Sequence, residues 1–281
     1  MFLCKNIMKL LLSGSKLQKF CDIFSNCKYL SNDFITFNFS EDGIYSQGMG
    51  FDHCSIYELT MSNEWFDDYE IDSKDASSIS VSTDILSKVI QTRHSSQCMI
   101  IEYHGKTDNL NIRFKPAVTN SDSKEFPKEY SIPLMDVDDE KLVIPDMEYS
   151  AEFGIGSKAL QATNDQLSLF NETLTIHCSE DEIYLRSKGN DGELKVTLFN
   201  DNCEHITEFA IDEDLSLTLD FSIRHFNTFC RFLKVSNNVN LGFKKDTPMK
   251  FEYVMDDVEE GEEPDIELVF YLAPKIIDDA E

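Results

Sequence analysis

Residues 34–48 read FITFNFSEDGIYSQG, and residues 173–187 read TLTIHCSEDEIYLRS. Ser40-Glu41-Asp42 becomes Ser179-Glu180-Asp181, and Ile44-Tyr45 becomes Ile183-Tyr184, at a constant offset of 139 positions (34 to 173). Ahead of the acidic triplet, Ile35, Phe37 and Phe39 alternate with polar residues, as do Leu174, Ile176 and Cys178. A period of two turns one face of a strand inward. Each stretch therefore predicts a hairpin with the acidic triplet at its turn.

The register extends in both directions. In 14–27, GSKLQKFCDIFSNC, the residues Leu17, Phe20, Cys21 and Phe24 fall on one helical face. The counterpart at 156–168 is weaker, with Leu160 and Leu167 on one face and Thr163 and Asn164 between them; only the offset places a helix there. Further on, 83–93 carries Leu86, Val89 and Ile90 behind an N-cap at Ser82 or Thr83. At the same offset, 222–234 carries Phe226, Phe229, Cys230 and Leu233. Strand-like runs follow each of these helices, at 98–103 and 109–114 and again at 238–243 and 248–254.

Each half thus reads helix, hairpin, long connection with more strand, helix, hairpin. The fold class is α+β, with two similar domains, each of two helix-plus-antiparallel-sheet modules. The expected boundaries are 1–133 and 151–281. Between them, 134–150 is an extended connector with Pro145, several Asp and no sustained periodicity.

The chain has 281 residues and a formal charge of −27. Such a balance argues against nucleic acid as a partner only if the charge is evenly spread. It is not. The helical segments carry Lys16 and Lys19, Lys88 and Arg93, Lys158, and Arg224, Arg231 and Lys234, against only Asp22, Asp84 and Asp165. Segregation of this kind presents a basic surface that contacts phosphates without reading sequence.

Catalytic signatures are missing. The chain contains no nucleophile elbow and no phosphate loop, and GMG at 48–50 is not a dinucleotide fingerprint. The stretch 136–147 starts like a calcium loop, but Lys141 stands where glycine is needed and Met147 where the bidentate glutamate belongs. The eight cysteines occur singly and the six histidines lack metal or triad spacing, so no cofactor, metal or enzyme activity is expected. The cysteine pattern indicates a reducing compartment. The opening MFLCKNIMKLLL lacks a leader's apolar run, and no stretch approaches a membrane span, so no membrane partner is expected.

FYLAPKI at 270–276, LMDVDDEKLVIPDMEYS at 134–150, SGSKLQK near the start and IRHFNTFCRF at 223–232 together resemble the proliferating cell nuclear antigen (PCNA) family, the eukaryotic-type DNA sliding clamps. The resemblance runs in order along nearly the whole chain. It implies a homotrimeric ring around double-stranded DNA, with helices lining the interior and sheets outside, acting as a polymerase processivity factor in replication and repair. It also implies a nuclear or viral replication compartment, DNA polymerase and other PIP-box proteins as partners, and an ATP-dependent clamp loader of the replication factor C type.

Carried over residue by residue, the DNA-binding set is Lys16, Lys19, Lys88, Arg93, Lys158, Arg224, Arg231 and Lys234. The partner-peptide pocket is Met49, His53, Ile56, Leu142, Ile144, Pro248, Tyr271, Ala273 and Pro274. The subunit seam takes Tyr130, with Ile112, Leu194 and Val196 on expected edge strands at 108–116 and 190–198. Three departures stand out: Asp165 at an often basic position, Glu180 at the usual ubiquitin-acceptor lysine, and an acidic insertion at 256–265. They fit a divergent protist or large-DNA-virus member. The alternative reading is a non-enzymatic clamp-like scaffold, such as a subunit of a heterotrimeric checkpoint-type ring.

Overall fold

The two hairpins form as the alternation predicts. Strand β2 (Phe34–Ser40) pairs with β3 (Gly43–Met49) through Phe39↔Ile44 and Ser40↔Gly43. Strand β11 (Thr173–Ser179) pairs with β12 (Ile183–Gly189) through Cys178↔Ile183 and Ile176↔Leu185. A serine closes each turn. Ser40 Oγ accepts from the Asp42 N–H at 3.2 Å, and Ser179 Oγ accepts from the Glu182 N–H at 3.1 Å. The turns differ at their fourth position. Gly43 has φ +144°, and a Cβ there would sit 2.0 Å from the Met61 carbonyl oxygen, so only glycine fits.

The computed structural model describes residues 8–30, 33–72, 78–105, 107–117, 126–137, 141–200, 203–255 and 264–276. Its remaining elements in the first half are β1 (Met8–Leu12), α1 (Gly14–Asn26), β4 (Ser55–Ser62), β5 (Asp68–Ile71), β6 (Ser78–Ser82), α2 (Thr83–Gln91), β7 (Gln97–Tyr103), β8 (Asn109–Pro116) and β9 (Lys128–Met135). The second half adds β10 (Ala151–Gly156), α3 (Ser157–Leu167), β13 (Gly192–Asn200), β14 (Cys203–Glu204), β15 (Ile206–Ile211) and β16 (Ser216–Ser222). It closes with α4 (Ile223–Cys230), β17 (Asn238–Phe243), β18 (Met249–Val254) and β19 (Ile266–Leu272). The weak third helix is real. The fourth is shorter than the sequence indicates: it ends at Cys230, and Phe232 rather than Leu233 then enters the core.

The chain divides into two compact units. In the first, the strands run in the order β4-β3-β2-β6-β9-β8-β7-β1-β5. Its core joins α1 to the sheet through Phe20, Phe24 and Phe37, with Phe20–Phe24 centroids 4.2 Å apart and Phe24–Phe37 5.3 Å apart. The second holds the orders β15-β10-β17-β18-β19 and β14-β13-β12-β11-β16. Phe229 of α4 stacks on Phe270 of β19 at 4.4 Å, beside the fully buried Phe251 and Tyr253. Packed aromatics of this size each bury a large apolar area, alongside the more numerous Leu, Ile and Val of the same core.

The units differ from the simple boundary expected from sequence. Residues 52–57 belong with the second unit, where the Ala273 N–H donates to the Cys54 carbonyl at 2.9 Å. Residues 264–267 belong with the first, where the Ser62 N–H donates to the Asp265 carbonyl at 2.8 Å. Leu134 and Met135, expected in the connector, complete β9, and 141–149 is without regular structure. Of the acidic insertion, residues 256–263 lie outside the described residues. Among the described residues, no helix is long and apolar enough to cross a membrane.

Candidate nucleic-acid and partner surfaces

In the first unit α1 and α2 pack on each other. Helix α1 buries Leu17, Phe20, Cys21, Ile23 and Phe24, while α2 buries Leu86, Val89 and Ile90. That leaves Lys16 and Lys19 half-buried and Lys88 exposed on the other faces. These bases have intrachain company. Lys16 Nζ lies 3.8 Å from Asp67 Oδ1 and donates to the Phe66 carbonyl at 3.5 Å. Lys88 is 2.5 Å from Asp84 Oδ2, one helical turn earlier. Arg93, just past α2, donates to Gln18 Oε1 and touches Cys21, whose thiol burial pushes up to about 11 against the guanidinium's opposing pull.

In the second unit α3 packs on α4. Helix α3 buries Ser157, Leu160, Asn164 and Leu167; α4 buries Ile223, Phe226, Phe229 and Cys230. Asn164 is fully buried and its Nδ2 donates to Asn227 Oδ1 at 2.6 Å. Lys158 and Arg224 are exposed and form no ion pair among the described residues. Arg231 caps α4 and Lys234 follows it, both exposed, and Asp165 is likewise exposed on α3. Each helix therefore offers at least one base away from its buried stripe.

The expected pocket residues fall on both units. Met49 and Leu142 belong to the first. There Gln47, on the strand that ends at Met49, binds Leu142 reciprocally: Nε2 donates to the Leu142 carbonyl at 3.0 Å, and the Leu142 N–H donates to Oε1 at 2.8 Å. His53, Ile56, Ile144, Pro248, Tyr271, Ala273 and Pro274 belong to the second. His53 and Ala273 are exposed, and the other five are half-buried. The Cys54–Ala273 hydrogen bond brings the 52–57 segment and the C-terminal segment together. A contact that sequence reading missed joins two side chains: His225 Nε2 lies 2.7 Å from Asp52 Oδ2. Nothing in the linear spacing of 52 and 225 signals it.

The expected seam needs a correction. Strand β8 is not an edge, because it pairs with β7 on one side and β9 on the other, and Ile112 is fully buried in the first unit's core. The outer strand is β9, which among the described residues pairs with β6 only through Leu134 and Met135 and leaves 128–133 open on that side. It carries Tyr130, whose hydroxyl lies 2.9 Å from Thr92 Oγ1 and whose ring meets Phe114 edge-on. In the second unit β13 pairs with β14 only at Phe199 and Asn200. The Leu198 carbonyl accepts from the His205 N–H at 2.9 Å, so among the described residues it is 192–197 that stays open, with Leu194 and Val196 half-buried upon it.

Comparison with known proteins agrees with this architecture. Residues 9–141 match the family described as proliferating cell nuclear antigen, N-terminal domain, and residues 143–275 match its C-terminal domain. The chain is 28% identical over 261 residues to the proliferating cell nuclear antigen of Chaetomium thermophilum, covering 92% of each chain. It is 28% identical over 246 residues to the DNA polymerase sliding clamp of Methanococcus vannielii, covering 87% of this chain and 90% of that one. The crystal structure of proliferating cellular nuclear antigen from Entamoeba histolytica superposes with a TM-score of 0.79 over 97% of this chain and all of that one, at 19% identity, which shows a shared fold. With both of the family's domains matched in order and that fold shared, the chain belongs to the proliferating cell nuclear antigen family of sliding clamps.

Proposed function

We propose that this chain closes as a homotrimer around duplex DNA and tethers DNA polymerase and other PIP-box proteins, with no chemistry of its own. The observation that carries the reading is the placement of Lys16, Lys88, Lys158 and Arg224, one on each helix and each away from its helix's buried stripe, in a chain of net charge −27. Cations gathered on helices would hold the phosphate backbone by sequence-independent, salt-sensitive contacts. Such contacts are individually weak, so the ring slides, and retention comes from enclosure. The acidic remainder repels duplex from the outside.

Two strand flanks that are open among the described residues, 128–133 of β9 and 192–197 of β13, support head-to-tail closure, since pairing them would remove the unit edges. A closed ring admits circular DNA only after being opened, which is the task of an ATP-dependent loader of the replication factor C type. The half-buried Ile56, Ile144, Tyr271 and Pro274 suit an aromatic-bearing peptide helix. Replication places such a protein in the nucleus or at a viral replication site.

The deciding experiment loads the protein onto nicked circular DNA with a matching loader and then linearises the DNA. Retention on the circle and loss from the linear form are expected. Equal retention on both would overturn encirclement.

A further inference from the structure

The third residue of α4, His225, reaches the 51–54 loop. Its Nε2 lies 2.7 Å from Asp52 Oδ2, with the histidine side chain 17% exposed and the aspartate 49% exposed. The other ring nitrogen, Nδ1, is buried and without a hydrogen-bond partner among the described residues, so Nε2 carries the hydrogen that Asp52 accepts. The second carboxylate oxygen is also engaged: Asp52 Oδ1 accepts from the Cys54 N–H at 3.2 Å. Cys54 in turn accepts through its carbonyl from the Ala273 N–H at 2.9 Å. The loop is held at Asp52 by a helix and at Cys54 by the C-terminal segment.

Between those two anchors stands His53, with φ +56°. A residue with a Cβ in that left-handed region costs about 1 kcal/mol or more, and it persists only where the surroundings fix it. Here the fixing groups are identifiable. Removing the Asp52 anchor takes away one of the contacts that hold the loop and lets His53 move toward an ordinary conformation.

We propose that His225 is a positioning residue for the partner-peptide surface: through Asp52 it holds the loop that presents His53 beside Ala273 and Pro274. The proposal rests on the peptide-binding reading above. His225 does not touch the peptide; it sets the shape of the loop that does.

The test is fluorescence anisotropy with a fluorescein-labelled synthetic PIP-box peptide. H225A should weaken binding about tenfold and D52A, which also removes the acceptor of the Cys54 N–H, at least as much; the double variant should be no weaker than D52A, because the His225 contact is already lost there. H225Q, whose side-chain amide can still donate to Asp52, should recover binding to within about twofold of wild type. Wild-type affinity in H225A, or effects that add in the double variant, would overturn the positioning role. A wild-type chain that ignores the peptide would overturn the peptide surface itself. Amide exchange at His53 and Cys54 separates the two failures: it should accelerate in H225A and D52A and not in H225Q.

Discussion

The side-chain amide of Asn164 donates to Oδ1 of Asn227 across 2.6 Å, and Asn164 is fully buried where α3 meets α4. The bond matches the donor side of this buried amide, while its Oδ1 has no partner among the described residues; a buried polar group left unpaired forfeits its hydration without return. Asn164→Ala leaves Asn227 without its donor and opens a gap between the helices. The expected cost is about 2 kcal/mol in urea unfolding. Asn227→Ala leaves the buried Asn164 amide without an acceptor, so it should also cost about 2 kcal/mol even though Asn227 itself is half-exposed, and the two effects should not add.

That hydrogen bond also explains why α3 is the helix sequence reads least well. Its buried set is Ser157, Leu160, Asn164 and Leu167, so half the stripe is polar and the 3.6-residue period is blurred. Helix α1, whose buried set is entirely apolar, is legible without help from the repeat. The hairpins are equally plain, since strict alternation leaves one register. What could not be read lies in long-range pairing. Strand β9, KEYSIPLM, is mostly half-exposed or exposed and includes Pro133, so its alternation is faint, and the open edge fell to β8 instead. The basic residues were visible as charges on helices, but which of them pair with acids depends on Asp67, far from Lys16 in sequence. The His225–Asp52 pair was hidden for the same reason.

Lys158 and Arg224 should govern phosphate binding more than Lys88 does. Lys88 is shared with Asp84 at 2.5 Å, whereas Lys158 and Arg224 have no acidic partner among the described residues. In salt-challenge assays of DNA retention, K158A and R224A should each reduce the salt slope by about 0.9 for every phosphate that the missing cation had neutralised. K88A should do less, and D84A should strengthen retention. Because exposed ion pairs are worth about 0–1 kcal/mol, the Lys88 difference should be small but of that sign. Equal slopes in all variants and wild type would remove these helices from the DNA surface.

Substitutions at the two strands should separate association from folding. Leu194→Asp together with Val196→Asp, on the open flank of β13, should leave a folded chain and reduce the mass by light scattering from about three chains to one. Ile112→Asp should instead unfold the protein, because that side chain is fully buried within one unit and an unpaired carboxylate there has no partner. A folded, dissociated I112D would return β8 to the seam.

Alkaline stability should report on Tyr69. Its hydroxyl donates to the carbonyls of Ser40 at 2.7 Å and Gly43 at 2.8 Å, on either side of the first hairpin turn. Burial pushes its phenol from an ordinary 10 up to about 12, against the Ser40 hydrogen bond, with the Asp42 carboxylate adding to the rise. The folded protein holds this proton more tightly than the unfolded chain does. The contribution is therefore complete below pH 10 and is lost as pH climbs towards 12. Tyr69→Phe should cost about 1 kcal/mol at pH 8 and flatten the fall in unfolding free energy across that alkaline window.

Gly43 and Glu182 occupy equivalent corners of the two hairpins; Gly43 abuts a main-chain oxygen, that of Met61, whereas the second corner already carries a side chain. Transplanting the glycine-bearing corner into the C-terminal repeat forfeits little beyond an exposed bridge to Lys195. The reverse graft drives a methylene into a carbonyl. The corner can thereby be exchanged from the first hairpin into the second but not the other way round.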